Sequence, residues 1–192
     1  TSMGANQGIL VRDRLSLEKV RRVDTVIFDK TGTLTKGEFG VVAIAAANES
    51  SEEEVLRLAA AAEGDSEHTI ARGIRNEAEK RSLPLPDVSD FEAIKGRGVQ
   101  AKVSGEMIHL GGPRMLEMLE FSLPEKLKDF ERAASDKGQS VIHVIRKGEV
   151  LGSLALADVI REESRKAIER LHDMGIEIVM LTGDSRAVAQ SL

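Results

Sequence analysis

The chain has 192 residues, 41% of them hydrophobic and 31% charged, a balance that suits one or two globular domains and excludes a wholly disordered chain. It contains no Cys, Trp or Tyr, which rules out thiolate metal sites, disulfides and large aromatic stacking platforms and leaves any chemistry to carboxylates, hydroxyls, lysines and histidines. With 27 Lys and Arg against 32 Asp and Glu the net charge is −5, the two signs are interspersed, and nothing points to a nucleic-acid partner.

In chain order, no apolar stretch reaches the roughly 18–20 residues of a membrane span and the N-terminus lacks a signal-peptide core, so the chain reads as soluble as it stands. Residues 23–29, VDTVIFD, form an apolar run that ends at a carboxylate and predict a buried strand. DKTGTLT follows from Asp29, and the short linker around Lys36-Gly37 reads as a hinge. Ser51 and Glu54 have capping-box spacing for a helix EEEVLRLAAAAE, and Ser66 reads as the N-cap of a second helix, EHTIARGIRNEAEKR.

LPLPD at 83–87 is a break, after which FEAI, GVQAKVSG and EMIHLGG predict short strands with turns at GRG and SGE. Helices at RMLEMLEF and PEKLKDFERAASDK and a hairpin SVIHVIR-KGE-VLGSL come next, with a second hinge around Lys147-Gly148. LGSLALA at 151–157 reads as a strand. The run VIREESRKAIERLHDMG spaces Ile160, Ala167, Ile168, Leu171 and Met174 as a helix closed by Gly175, and IEIVML leads into Thr182-Gly183-Asp184. Strand, helix, strand predicts a βαβ unit and a parallel sheet, with an α+β module inserted after the first strand. Parallel sheets gather ligand chemistry at the carboxyl ends of their strands, where Asp29, Asp158 and Thr182 to Asp184 are expected.

An aspartate at such an end can be a base, a metal ligand or a nucleophile, and its neighbours favour the nucleophile. A carboxylate attacking a phosphoryl group needs Mg²⁺ to offset charge, donors for the phosphoryl oxygens and a backbone that comes close. Gly32 supplies the close approach, and Thr31 and Thr33 supply hydroxyls. Hydrolases with an aspartyl nucleophile usually carry a second aspartate two residues on as acid and base. Thr31 stands there instead, so an aspartyl phosphate is expected to be long-lived, as a transducer requires. Taken alone, TGD is also an ordinary helix start, Asp158 could simply cap the next helix, and His68 lies where histidines are normally solvated. His109, His143 and His172 show no metal-site spacing and read as structural or surface residues.

DKTGTLT at 29–35, TGD at 182–184 and Asp158-Val159-Ile160-Arg161 together resemble the phosphorylation domain of P-type ATPases, within the haloacid dehalogenase superfamily. SEHTIA at 66–71, KGRGV at 95–99 and the lead-in GILVRDRLSLEKVRRVDTVIFDK resemble the heavy-metal-transporting type IB branch, that of the bacterial and archaeal copper exporters. The resemblance implies an α/β fold: a Rossmannoid phosphorylation domain with an incomplete parallel sheet at 1–36 and 150–192, and an inserted α+β nucleotide-binding domain, antiparallel sheet with flanking helices, at 37–149. It implies that Asp29 is phosphorylated by ATP beside Lys30, that Asp29 and the Thr31 carbonyl hold Mg²⁺, and that Thr182 and Gly183 bind the phosphoryl group. Asp184 and Asp158 would lie near the nucleotide, Glu63 and His68 would meet adenine, and Gly96 and Gly98 would let it lie against the backbone.

The implied partners are ATP, the transmembrane and actuator domains of a pump and its exported metal ion, which makes the chain the cytoplasmic domain of an integral protein of the cell membrane. Thr69 and Glu162 stand where the family usually has proline. The chain also stops at Leu192, before the family's phosphoryl-contacting lysine and its GDGxND motif, so little turnover is expected of it alone. Rival readings are a soluble phosphatase with an inserted cap domain and a nucleotide-binding module without catalysis.

Overall fold

The computed structural model describes Gly8, residues 13–47 and residues 49–182. Helix α1, Arg14–Val20, leads into strand β1, Thr25–Asp29, and a turn over Lys30–Leu34. A long strand β2, Thr35–Ala46, then enters a module of helices α2, Glu52–Ala62, and α3, Thr69–Lys80, strands β3, Val88–Ile94, β4, Gly98–Val103, and β5, Glu106–Gly111, helices α4, Pro113–Leu119, and α5, Glu125–Asp136, and strand β6, Ser140–Arg146. The chain returns along β7, Glu149–Ile160, and continues through α6, Glu162–Asp173, to β8, Glu177–Leu181. Residues 183–192, where TGD could open a helix, lie outside the described residues.

Among the described residues the strands form two sheets. β1 and β8 pair in parallel, Thr25 opposite Glu177 through Asp29 opposite Leu181. The other sheet is antiparallel, in the order β2-β7-β6-β5-β4-β3. The parallel sheet is therefore present, but the predicted strand 151–157 is not in it: it forms the middle of β7, between β2 and β6. Its unbroken apolar run reports burial on both faces, which an antiparallel strand also meets when helices cover both sides of its sheet.

They do so here. Leu151, Leu154 and Leu156 join Ile142, Val144, Val55, Leu56 and Ile74 on the face beneath α2 and α3. Val150 and Ile145 join Met115, Leu116 and Leu127 beneath α4 and α5. β1 departs from expectation in the opposite direction. Val26 and Phe28, with their partners Ile178 and Met180, are half-buried, whereas Ile27 is 65% and Leu181 65% exposed. Side chains alternate across a strand, and in this pair one face meets α6 while the other is bare among the described residues.

Local chemistry accounts for the helix starts. Ser51 Oγ accepts from the Glu54 backbone N–H at 3.1 Å and so caps α2 as its spacing predicts. The cap of α3 is His68 rather than Ser66, its Nδ1 accepting from the Ile70 N–H at 3.3 Å. Ser66 instead stands two residues back, its Oγ 3.4 Å from the His68 N–H.

Helix α3 lies directly on β2 because Gly73 has no side chain: a Cβ there would sit 2.1 Å from the Phe39 carbonyl oxygen. In an open helix Gly→Ala adds about 0.5–1 kcal/mol of stability. Gly73→Ala is expected instead to cost about 1–3 kcal/mol through overpacking, read as a fall in the urea midpoint at unchanged slope.

Candidate functional site

The turn after β1 is built on one torsional requirement. Thr31 at φ −78°, ψ 121° and Gly32 at φ 77°, ψ −9° are the central residues of a type II turn, whose second position demands positive φ and so glycine. The chain is thereby reversed directly behind Asp29, which stands exposed at the carboxyl end of β1. Thr31, Gly32 and Thr33 are exposed as well, so the turn presents its amides and hydroxyls to solvent.

Thr35, fully buried, holds the turn from below. Its backbone N–H donates to the Lys30 carbonyl, and its Oγ1 accepts from the Gly32 N–H at 3.2 Å. Lys30 O lies 3.1 Å and Asp158 Oδ2 2.6 Å from the same hydroxyl, which has one proton to give; the shorter, charged acceptor takes it. Arg161 completes the clamp, donating through Nε to the Thr35 carbonyl at 3.0 Å and through its backbone N–H to the Leu34 carbonyl at 2.9 Å. A longer contact of 3.5 Å joins its Nη2 to the Gly32 carbonyl.

Asp158 thus reaches the turn from within β7, not from the end of a parallel strand. Its other oxygen, Oδ1, is buried without a hydrogen-bond partner, and the residue borders a cavity of about 340 Å³ shared with Lys30, Thr35, Lys137 and Gln139. Thr182 follows β8, whose last residue Leu181 pairs with Asp29, so it begins at the same end of the sheet. Gly183 and Asp184 lie outside the described residues.

A second constellation forms in the inserted module. Glu63 and His68, from the loop between α2 and α3, and Gly96 and Gly98, from the turn between β3 and β4 and the first residue of β4, line one cavity of about 470 Å³ with Ile70, Val99 and Ile142 among its apolar walls. Neither Asp29 nor Asp158 belongs to it. Gly96, at φ +72°, is open on its Cβ side, with Arg114 Nη1 the nearest atom at 4.0 Å. Gly98 is glycine for a further reason: a Cβ there would sit 1.9 Å from the Leu110 carbonyl oxygen of the neighbouring strand.

The cavity is apolar but has an acceptor waiting in its wall. Glu63 is 6% exposed, and its Oε2 is buried without a partner. Burial pushes its carboxyl above the ordinary 4.5, against the pull of a hydrogen bond with Ser66 and of the neighbouring His68 and Arg75. On the same loop His68 Nδ1 is occupied as a helix cap, so the ring's proton sits on Nε2. A planar ligand carrying an amino group beside ring nitrogens matches these groups and the apolar walls.

The donor set at Asp29 and Thr31, a carboxylate and a backbone carbonyl, is all oxygen, which suits Mg²⁺, an ion that keeps several waters and takes one or two carboxylates. Among the described residues no cluster of three His, Cys, Asp or Glu side chains forms a fuller metal site. Sequence reasoning passed over Thr35, although it closes the motif DKTGTLT, and Arg75, whose helix position carries no motif signal.

Known proteins resemble this chain over nearly its whole length. The model of the haloacid dehalogenase-like hydrolases matches residues 23–192. The copper-exporting P-type ATPase B of Archaeoglobus fulgidus is 44% identical over 190 residues, which are 99% of this chain and 27% of that protein. The chain therefore spans about a quarter of the length of the curated relatives it matches. Among solved structures, a zinc-transporting PIB-type ATPase in its E2.Pi state superposes with a TM-score of 0.86 at 35% identity, covering 98% of this chain and 30% of that one. The catalytic domain of the CPx-ATPase CopB-B, solved in a study of its conformational changes upon nucleotide binding, gives a TM-score of 0.64 at 26% identity, covering 98% of this chain and 65% of that one.

Two outcomes follow from the geometry. Thr35→Val keeps the shape but leaves Asp158 Oδ2 without its donor, and is expected to cost about 1–3 kcal/mol in urea unfolding, while Thr35→Ser retains most of the stability. For Glu63, the folded state holds the proton more tightly than the unfolded chain. Stability is accordingly lost as pH rises from the ordinary 4.5 towards the raised value. The stability advantage of Glu63→Gln over the unmodified chain should grow across that window, which paired unfolding curves at pH 4.5 and 7.5 would show; an advantage independent of pH would contradict the assignment.

Proposed function

The chain belongs to the haloacid dehalogenase-like hydrolases, and we propose that it is the ATP-binding and phosphorylation unit of a heavy-metal P-type ATPase whose exported metal is copper. The observation that carries this reading is the cavity in which Glu63, His68, Gly96 and Gly98 meet, with a buried carboxylate oxygen lacking a partner, on the same chain as the DKTGTLT turn. The sequence relatives are copper exporters by name, which is the support for copper over zinc.

In this reading the adenine amino group donates to Glu63 and the His68 Nε2–H donates to a ring nitrogen, with the open Cβ side of Gly96 leaving room for the base. Asp29 then attacks the γ-phosphorus. An oxygen–phosphorus bond to the Asp29 carboxylate forms, the bond to the bridging oxygen of ATP breaks, and that oxygen leaves on ADP with the electron pair. Lys30 and the turn amides offset charge on the phosphoryl oxygens, and Thr182 with Gly183 receives the transferred group. Asp29 and the Thr31 carbonyl would hold Mg²⁺, which would supply positive charge against the phosphates, and Asp184 would lie near the nucleotide. With threonine at position 31 and no second aspartate in that place, the turn offers no local base for water, which suits an intermediate that persists long enough to drive transport.

The phosphorylation domain is assigned to 1–36 and 150–192 and the nucleotide domain to 37–149. Their junction coincides with an interruption of the β2–β7 ladder: Thr35 pairs with Ile160, Phe39 pairs with Asp158, and the intervening Lys36–Glu38 are exposed, with Gly37 at φ +69°. Hinge motion there brings the nucleotide to Asp29. The partners are the transmembrane and actuator parts of the pump and the metal ion, with the chain on the cytoplasmic face of the membrane. Among the described residues no helix is long and apolar enough to cross it.

Titrating the isotope-labelled chain with a non-hydrolysable ATP analogue tests the reading. Amide shifts at His68, Gly96 and Gly98 are expected, with affinity about tenfold weaker in His68→Ala, a loss of about 1.4 kcal/mol. Saturating analogue without any shift at these residues would remove the nucleotide assignment.

A further inference from the structure

The residues facing the nucleotide cavity from one side, Glu63, Ser66 and His68, all lie on the loop between α2 and α3. Such a loop is the least constrained part of a site, and the geometry of base recognition depends on it. One side chain ties it down. Arg75, half-buried two turns along α3 from His68, donates through Nη1 to the backbone carbonyl of Glu63 and, at 2.9 Å, to that of Ser66. The Ser66 N–H also donates to the Glu63 carbonyl at 3.1 Å, so the guanidinium closes over a tight local turn.

Arg75 does not line the nucleotide cavity. It borders instead another recess, of about 430 Å³, with Gly64, Asp65, Ser66, Glu67 and Arg72. It therefore acts on the backbone that carries the recognition groups, not on a ligand. A guanidinium suits this task because its planar array of donors is always charged and loses little freedom per bond formed, whereas an ammonium is a single point charge on a flexible stem.

We infer that Arg75 is a positioning residue for base recognition: by holding the carbonyls of Glu63 and Ser66 it sets the Glu63 carboxyl and the His68 ring at the spacing an adenine base needs. The inference rests on the nucleotide reading of the cavity. At that spacing an acceptor oxygen of Glu63 and the Nε2–H of His68 match the amino group and a ring nitrogen of adenine, where guanine presents a carbonyl and a ring N–H.

The test is calorimetric titration of the whole chain with the β,γ-methylene analogues of ATP and GTP, for the unmodified protein and for Arg75→Met, Arg75→Lys and His68→Ala, with a urea transition for each. Loss of two charge-assisted hydrogen bonds from the loop in Arg75→Met is expected to weaken the ATP analogue about tenfold while the GTP analogue changes less than about twofold, so that the adenine preference narrows in a protein that still unfolds in one cooperative urea transition at a lower midpoint. Arg75→Lys should fall between, at about threefold. Equal weakening of both nucleotides, or an unchanged ATP-analogue affinity, overturns the inference. Should Arg75→Met fail to fold, Arg75→Lys decides by the same criterion, a narrowed preference supporting the role and an unchanged one ending it. If His68→Ala binds the ATP analogue as tightly as the unmodified chain, the cavity is not the base site and the functional reading falls; if His68→Ala weakens it and the Arg75 variants do not, only the role of Arg75 falls.

Discussion

The hydroxyl of Thr35 is the contact on which the two halves of the molecule depend. It is buried, accepts from the Gly32 amide and donates to the Asp158 carboxylate, and so ties the reversed turn behind Asp29 to a strand 123 residues further on. Without that bond the type II turn would be a surface loop held by its own torsions. With it, and with Arg161 bound to the Thr35 and Leu34 carbonyls, the position of Asp29 is referred to β7. Since β7 runs through the sheet of the inserted module, the same anchor relates the turn to the cavity.

That module is stiff for identifiable reasons. Its sheet is covered by helices on both faces, and glycine allows backbones to meet where a Cβ could not fit, as at Gly73 against Phe39 and Gly98 against Leu110. Packing of this density shifts as a body more readily than it deforms. The proposed hinge lies where the β2–β7 ladder is interrupted and the residues are exposed, away from that packing.

The cavity holds a different kind of tension. Burying the Glu63 carboxyl without satisfying Oε2 costs the free chain stability, and a donor supplied by a ligand removes that cost. In the proposed nucleotide site that unmet acceptor would select a ligand with a matching donor, and the loop that carries it needs a support outside the cavity. Arg75 is placed to give it.

Much of this was legible in the order of residues. The capping box at Ser51, the turn glycines, the hairpin around Lys147-Gly148 and the convergence of SEHTIA with KGRGV all depend on neighbours within a few positions or on a motif whose meaning travels with its spacing. Sheet membership did not. The run 151–157 and the run 23–29 look alike as sequence, yet one is the buried middle of an antiparallel sheet and the other is half exposed in a two-stranded parallel pair. An apolar run states how much surface must be covered and is silent about which strand or helix covers it. The Thr35 to Asp158 bond, the choice of His68 over Ser66 as helix cap and the Arg75 bridge likewise required the chain to be folded, because each is a choice among several chemically able partners that only their positions in space can settle.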